Sequence, residues 1–80
     1  MLNLPRKEFI MFSRIRNLRE DSDLTQTEIS KKLNISQRTY SHYENGTREI
    51  PISILIEIAD IHNVSVDYLL ERTDNPRLLH

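Results

Sequence analysis

The chain has 80 residues, of which 38% are hydrophobic and 29% charged, with 11 basic and 12 acidic side chains for a net charge of -1. That leaves room for one compact domain with a modest core, and the absence of cysteine excludes disulfides, thiolate nucleophiles and cysteine-ligated zinc or iron–sulfur sites. The longest apolar run, Phe9 to Phe12, is far short of the roughly 20 residues that span a bilayer. Met1 to Phe12 carries Pro5, Arg6, Lys7 and Glu8 and no small-residue cleavage site, so it does not read as a signal peptide. The expectation is a cytoplasmic protein with no membrane partner.

Apolar residues recur at helical spacing along the chain and never alternate cleanly, which predicts an all-α fold. The first predicted helix, Glu8 to Arg19, sets Phe9, Phe12, Ile15 and Leu18 on one face, with Arg14, Arg16, Asn17 and Arg19 around it. Pro5 suits a first turn, where a missing N–H costs nothing. Asp21-Ser22-Asp23 breaks the pattern. Thr25, three residues before Glu28, has capping-box spacing, with Leu24 as a hydrophobic staple. The helix it opens buries Ile29 and Leu33. Asn34 tolerates a left-handed backbone and ends that helix. Ser36 caps a third helix with Tyr40 and Tyr43 inside, and Gly46 closes it. Thr25 to Gly46 is therefore two short helices joined by a tight turn, a helix-turn-helix.

Pro51 marks a fourth helix whose expected buried stripe is Ile52, Leu55, Ile58 and Ala59, with Ile56 at its margin. His62-Asn63 ends it. Ser65 caps a short fifth helix that packs through Val66, Leu69 and Leu70, and Asp74-Asn75-Pro76 is a strong stop. A compact five-helix domain is the predicted architecture.

Catalytic chemistry has little to work with. His42, His62 and His80 do not form a metal-ligand spacing, and the Glu57/Asp60 pair on one helix face is ordinary solvated charge. A single glycine leaves no phosphate-cradling loop. No metal, cofactor, inducer or effector is implied. Charge distribution says more than charge total: residues 1–48 hold nine basic and six acidic side chains, net +3, and residues 49–80 hold two and six, net -4. The basic half contains the helix-turn-helix, as phosphate attraction acting over about a Debye length requires.

The third helix narrows the function. Away from Tyr40 and Tyr43 it presents Ser36, Gln37, Arg38, Ser41 and His42. Gln37 and Arg38 lie in the first turn, where a helix entering the major groove meets base edges. Glutamine bonds bidentately to adenine and arginine to guanine. His42, one turn beyond Arg38, is placed to reach a base edge or a phosphate. The face has no lysine, and no acid before Glu44.

Two segments carry a family likeness. Thr25-Gln26-Thr27-Glu28-Ile29-Ser30-Lys31-Lys32-Leu33-Asn34-Ile35-Ser36 and Tyr40-Ser41-His42-Tyr43-Glu44-Asn45-Gly46 resemble the Cro/C1-type (XRE-like) helix-turn-helix regulators of phages and bacteria. Val64-Ser65-Val66-Asp67-Tyr68-Leu69-Leu70 is similar to the family's fifth-helix signature, and Arg72 to Pro76 to a tail common in Firmicute members. The likeness implies a lambda-repressor-like DNA-binding domain over residues 12–76. Residues 1–11 are then an extension or the start of helix one, and 77–80 a tail. It implies base readout by Gln37, Arg38 and His42, with Ser41 and Thr39 as further candidates. It implies phosphate contacts from Gln26, Ser36, Asn45, Thr47 and Arg48, and a structural ion pair between Arg19 and Glu44.

Departures from the family pattern are Ser30 for alanine at the crossing of helices two and three, Asn34 for the turn glycine, Tyr40 for an aliphatic residue, and Glu71 for a frequent glycine. Serine is small enough to leave the fold unchanged. The Tyr40 ring is expected to tilt the third helix or leave its hydroxyl at the surface near DNA, and Glu71 to lengthen the last helix by a turn.

The leading expectation is a sequence-specific repressor acting by operator occupancy, as a homodimer on a pseudo-palindromic site in double-stranded DNA. Dimer contacts would come from Ile56, Tyr68 and Leu70, or from Leu2 to Phe12, where Ile10 and Met11 serve either a dimer or the packing of helix one. The alternatives are an antitoxin, whose acidic carboxyl half suits a basic toxin, and a protein–protein adaptor, which Gln37, Arg38 and Arg48 together argue against. A start methionine and a completed fifth helix point to a chain with little appended.

Overall fold

Three of the helices start at a hydroxyl that caps its own first turn. A computed structural model describes residues 11–77, with the order α1 (Ser13–Asp21), α2 (Gln26–Leu33), α3 (Gln37–Asn45), α4 (Ile52–His62) and α5 (Val66–Leu69). At α2 the Glu28 N–H donates to Thr25 Oγ1 at 3.0 Å and the Thr25 N–H donates to Glu28 Oε1 at 2.9 Å, a closed capping box. Ser36 Oγ accepts from the Thr39 N–H, and Ser65 Oγ from the Tyr68 N–H, each at 3.0 Å. Three helices end on left-handed residues, Asn34, Gly46 and Asn63. Their φ angles of 59°, 74° and 55° are reached by glycine freely and by asparagine at small cost.

The core gathers Ile15 from α1, Ile29 and Leu33 from α2, Tyr40 and Tyr43 from α3, Ile54, Ile58 and Ala59 from α4, Val64 from the link, and Leu69 from α5. Helix α1 touches α3, α4 and α5, and α2 packs on α3. Ser30 is buried at that packing and returns its hydroxyl to the Thr27 carbonyl at 2.8 Å, so no polar atom is stranded.

Four expectations are corrected. Helix α1 begins at Ser13, not Glu8, because Phe12 is extended and acts as its N-cap without a side-chain bond; Phe9 and Pro5 lie outside the described residues. On α4 the buried face runs through Ile54 and Ile58, and Ile52 is 76% exposed. Ser53, Glu57 and Asp60, at i, i+4 and i+7, form the outer stripe of α4, and packing decides which of the apolar flanks beside it is buried. Tyr40 is wholly buried, its hydroxyl inside the domain rather than near a DNA surface. Glu71 does not extend α5, which stops at Leu69: Glu71 takes a left-handed φ of 60°, while its N–H bonds the Tyr68 carbonyl and the Arg72 N–H bonds the Asp67 carbonyl.

The segment after α5 is tied back to the domain. Arg14 donates to the carbonyls of Tyr68 and Thr73 and to the Asp74 carboxylate, and its guanidinium lies 4.2 Å from the centre of the Tyr68 ring. The Ser65 N–H donates to the Pro76 carbonyl at 3.1 Å.

Candidate nucleic-acid interface

Ser36 fixes where α3 begins, and that places Gln37 and Arg38 in its first turn, both exposed. Ser41 and His42 follow one turn later, half-buried. Tyr40 and Tyr43 hold the opposite side of the helix in the core, which fixes its rotation and turns the polar residues outward. Thr39 is half-buried and accepts a bond from the Ser36 hydroxyl at 2.8 Å. At the end of α3 and in the loop after it, Asn45, Thr47 and Arg48 are all exposed. Asn45 donates to Ser41 Oγ at 3.3 Å, and the Thr47 hydroxyl lies 2.7 Å from His42 Nδ1.

Beneath this face lies a connected polar network. Arg19 and Glu44 form a two-pronged pair, Nε to Oε2 at 2.8 Å and Nη2 to Oε1 at 3.0 Å, and Arg19 also donates to the Leu24 carbonyl. Gln26 donates to Glu44 Oε1 at 3.1 Å and accepts from Gln37 Nε2 at 2.8 Å. One relay of side chains thus runs from α1 through Glu44 and Gln26 to the first turn of α3. Burial pushes the Glu44 carboxyl up, but Arg19, the adjacent Tyr40 phenol and Gln26 together outweigh it and hold the group below the ordinary carboxylate value. The hydrogen bond to Glu44 raises the already high Arg19 pKa. Tyr40 ionisation moves the other way from a useful acid: burial first, then the neighbouring Glu44 charge, push it well above the ordinary phenol range.

Residues 15–69 match a family model described as helix-turn-helix. The chain belongs to the Cro/C1-type helix-turn-helix family of transcriptional regulators. It is 36% identical over 63 residues to the HTH-type transcriptional regulator YobD of Bacillus subtilis (strain 168), covering 79% of this chain and 56% of that one. To the HTH-type regulator YqaE of the same organism it is 39% identical over 69 residues, 85% of this chain and 60% of the other. To the antitoxin PezA of Streptococcus pneumoniae it is 39% identical over 51 residues, 64% of this chain and 32% of the other. The chain therefore spans little more than half of the two Bacillus regulators and about a third of the antitoxin.

As a Cro/C1-type domain, the described residues 11–77 have the compact five-helix arrangement of the lambda-repressor-like fold. The structure brings Gln26, Gln37, Arg38, Ser41 and His42 onto α2 and the outer side of α3, with Asn45, Thr47 and Arg48 at the far end of α3. Ser36 spends its hydroxyl on the Thr39 backbone and side chain, so any contact it offers an anion comes mainly from the helix start it caps. Two links were not foreseen from sequence: Gln26 to both Glu44 and Gln37, and His42 to Thr47. The second had a local signal, since a left-handed Gly46 folds the following residue back over the last turn of its helix. The first joins residues 11 and 18 positions apart and had none. Among the described residues no group of histidines or carboxylates is placed to hold a metal ion, and no helix is long and apolar enough to cross a membrane.

Proposed function

We propose that this domain recognises a pseudo-palindromic operator in double-stranded DNA as a homodimer in the cytoplasm, and represses transcription by occupying it. The observation that carries this reading is the first turn of α3: a capped helix start with Gln37 and Arg38 exposed and no acid beside them. Gln37 and Arg38 read adenine and guanine edges in the major groove, and Ser41 and His42 read the neighbouring pair. Gln26, Ser36, Asn45, Thr47 and Arg48 hold the phosphate backbone on either side, aided by the free N–H groups at the helix starts.

One such module covers only about 600–1,000 Å² on DNA, so a single copy binds weakly. A second copy, on a half-site about 34 Å away, supplies the rest. Ile52 and Ile56, one turn apart on α4 and 76% and 47% exposed, are the apolar surface best suited to that contact. Tyr68 and Leu70 are less suited, because both are half-buried and Arg14 covers the Tyr68 ring. Leu2 to Ile10 lie outside the described residues.

Selection of bound sequences from random duplex DNA tests the reading. Enrichment of a two-fold symmetric site supports it, and recovery of no sequence preference removes it. Similarity to an antitoxin favours a second reading, in which the acidic carboxyl half also holds a basic toxin. Co-expression with the protein encoded beside it, followed by purification of a stable pair, separates the two.

A further inference from the structure

We propose that Glu44 is a positioning residue for base readout. Its carboxylate fixes the direction of the Gln26 amide and, through it, of the Gln37 amide, so that α3 turns a hydrogen-bond acceptor outward and favours adenine over guanine at the base pair Gln37 meets. The inference rests on the reading of Gln37 as a base reader and adds the residue that orients the reader.

A glutamine amide has a donating end, Nε2, and an accepting end, Oε1, of nearly the same size, so shape alone does not choose between them. A chain of amides takes its direction from a member that can only accept or only donate. Glu44 is that member. It is 4% exposed, and although burial disfavours its charge, the bonds from Arg19 hold it ionised at neutral pH. Arg19 Nε donates to its Oε2 at 2.8 Å and Nη2 to its Oε1 at 3.0 Å. An ionised carboxylate has no proton to give, so the Gln26 atom 3.1 Å from Glu44 Oε1 is Nε2. The other end of the Gln26 amide is then Oε1, and the atom 2.8 Å from it has to donate, which makes it Gln37 Nε2. The reverse arrangement sets a carbonyl oxygen against a charged oxygen at the first contact and leaves both without a proton between them.

The base code converts this direction into a preference. Gln37 is exposed, and it has Oε1 and its second Nε2 proton left to offer. Adenine matches that pair, since N6 donates to Oε1 and N7 accepts from Nε2. Guanine presents acceptors at both N7 and O6, so its O6 would meet Oε1 lone pair against lone pair. A Gln37 amide turned end for end would present its NH₂ group and suit the guanine edge instead. A phosphate held by the second Nε2 proton of Gln26 asks for the same direction as Glu44, which imposes it before DNA arrives. Arg38 lies in the same turn of α3 and outside this chain of amides.

The test combines random-duplex selection with urea midpoints on the full chain. Gln37→Ala and Arg38→Ala first locate the positions that each residue reads. The native protein is expected to enrich adenine over guanine at the Gln37 position by about tenfold. Arg19→Met with Glu44→Leu removes the carboxylate without stranding a charge, and Arg19→Leu with Glu44→Met serves if the first pair does not fold. The apolar pair is expected to keep a midpoint close to the native one, to lose most of the adenine preference and to leave the Arg38 position unchanged. Arg19→Lys keeps the carboxylate and is expected to do the opposite, lowering the midpoint while keeping the adenine preference. An adenine preference that survives in the apolar pair, one that disappears in Arg19→Lys, or equal loss at the Gln37 and Arg38 positions overturns the role of Glu44 while Gln37 remains a reader. No change at any position in Gln37→Ala overturns the proposal through the reading on which it rests.

Discussion

Arg19 and Glu44 are joined by two hydrogen bonds, and their side chains are only 11% and 2% exposed. The pair fixes α3 to α1 and, through Gln26, reaches the residue in the first turn of α3. Removing one partner leaves the other charged and buried, which costs about 3 kcal/mol, a large part of the stability of a domain this small. Glu44→Ala should lower the urea midpoint accordingly. Arg19→Met combined with Glu44→Leu should recover much of the loss, because no charge is then stranded. A Glu44→Ala protein as stable as the native one would show that the pair does not hold the helices together.

Acid should weaken the fold in two stages. His62 Nε2 is buried without a partner, and burial lowers the pKa of the ring. The unfolded chain therefore takes up a proton first: the stability linked to His62 is complete above about pH 6.5 and declines as pH falls toward the folded value. Glu44, also depressed, contributes stability that is complete above its ordinary value of 4.5 and is lost as pH falls through its folded value. Urea midpoints measured from neutral to acid pH should show both declines. His62→Leu should remove the earlier one and leave the later.

Arg14 should hold the segment that follows α5. Its three acceptors, the carbonyls of Tyr68 and Thr73 and the Asp74 carboxylate, need the planar fork of a guanidinium, and its stacking on Tyr68 needs the same flat face. Lysine keeps the charge and loses the geometry. Arg14→Lys should increase amide exchange over residues 70–76 by about tenfold, the effect of losing roughly 1.4 kcal/mol of local stability. Unchanged exchange there would mean that the Ser65–Pro76 backbone bond suffices.

Glu71 offers a route to a more stable domain. It occupies a left-handed conformation that costs a side chain-bearing residue about 1–2 kcal/mol and costs glycine little. Glu71→Gly should gain up to about 1 kcal/mol after the added freedom of the unfolded chain is counted, raising Tm by about 4–8 °C per kcal/mol. Calorimetry showing a lower Tm would mean that the carboxylate contributes more than the backbone loses.

Much of the fold was legible because its rules are local. Thr25, Ser36 and Ser65 announce helix starts through side-chain oxygens three residues from their donors, and Asn34 and Gly46 announce ends through tolerance of positive φ. The candidate reading face followed from the rotation that Tyr40 and Tyr43 impose on α3. The inner face of α4 was only partly legible: Ser53, Glu57 and Asp60 mark its outer stripe, but only packing distinguishes Ile54 from Ile52 on the two flanks. Nor was Arg14 legible as an anchor, because its partners stand 54 to 60 positions away. Glu71 hid its backbone strain behind a side chain that ordinarily favours helix.

The central claim is that α3 reads bases while the loop after it holds phosphates. Anisotropy titrations of the native chain, Arg38→Ala and Arg48→Ala, on the selected operator and on single-base variants across a range of salt, test it most directly. Arg38→Ala should weaken binding to the operator by about 1–3 kcal/mol and lose preference at one position. Arg48→Ala should weaken all sequences alike and reduce the salt slope by about one. Identical behaviour of the two variants, or native binding that ignores sequence, would contradict the account.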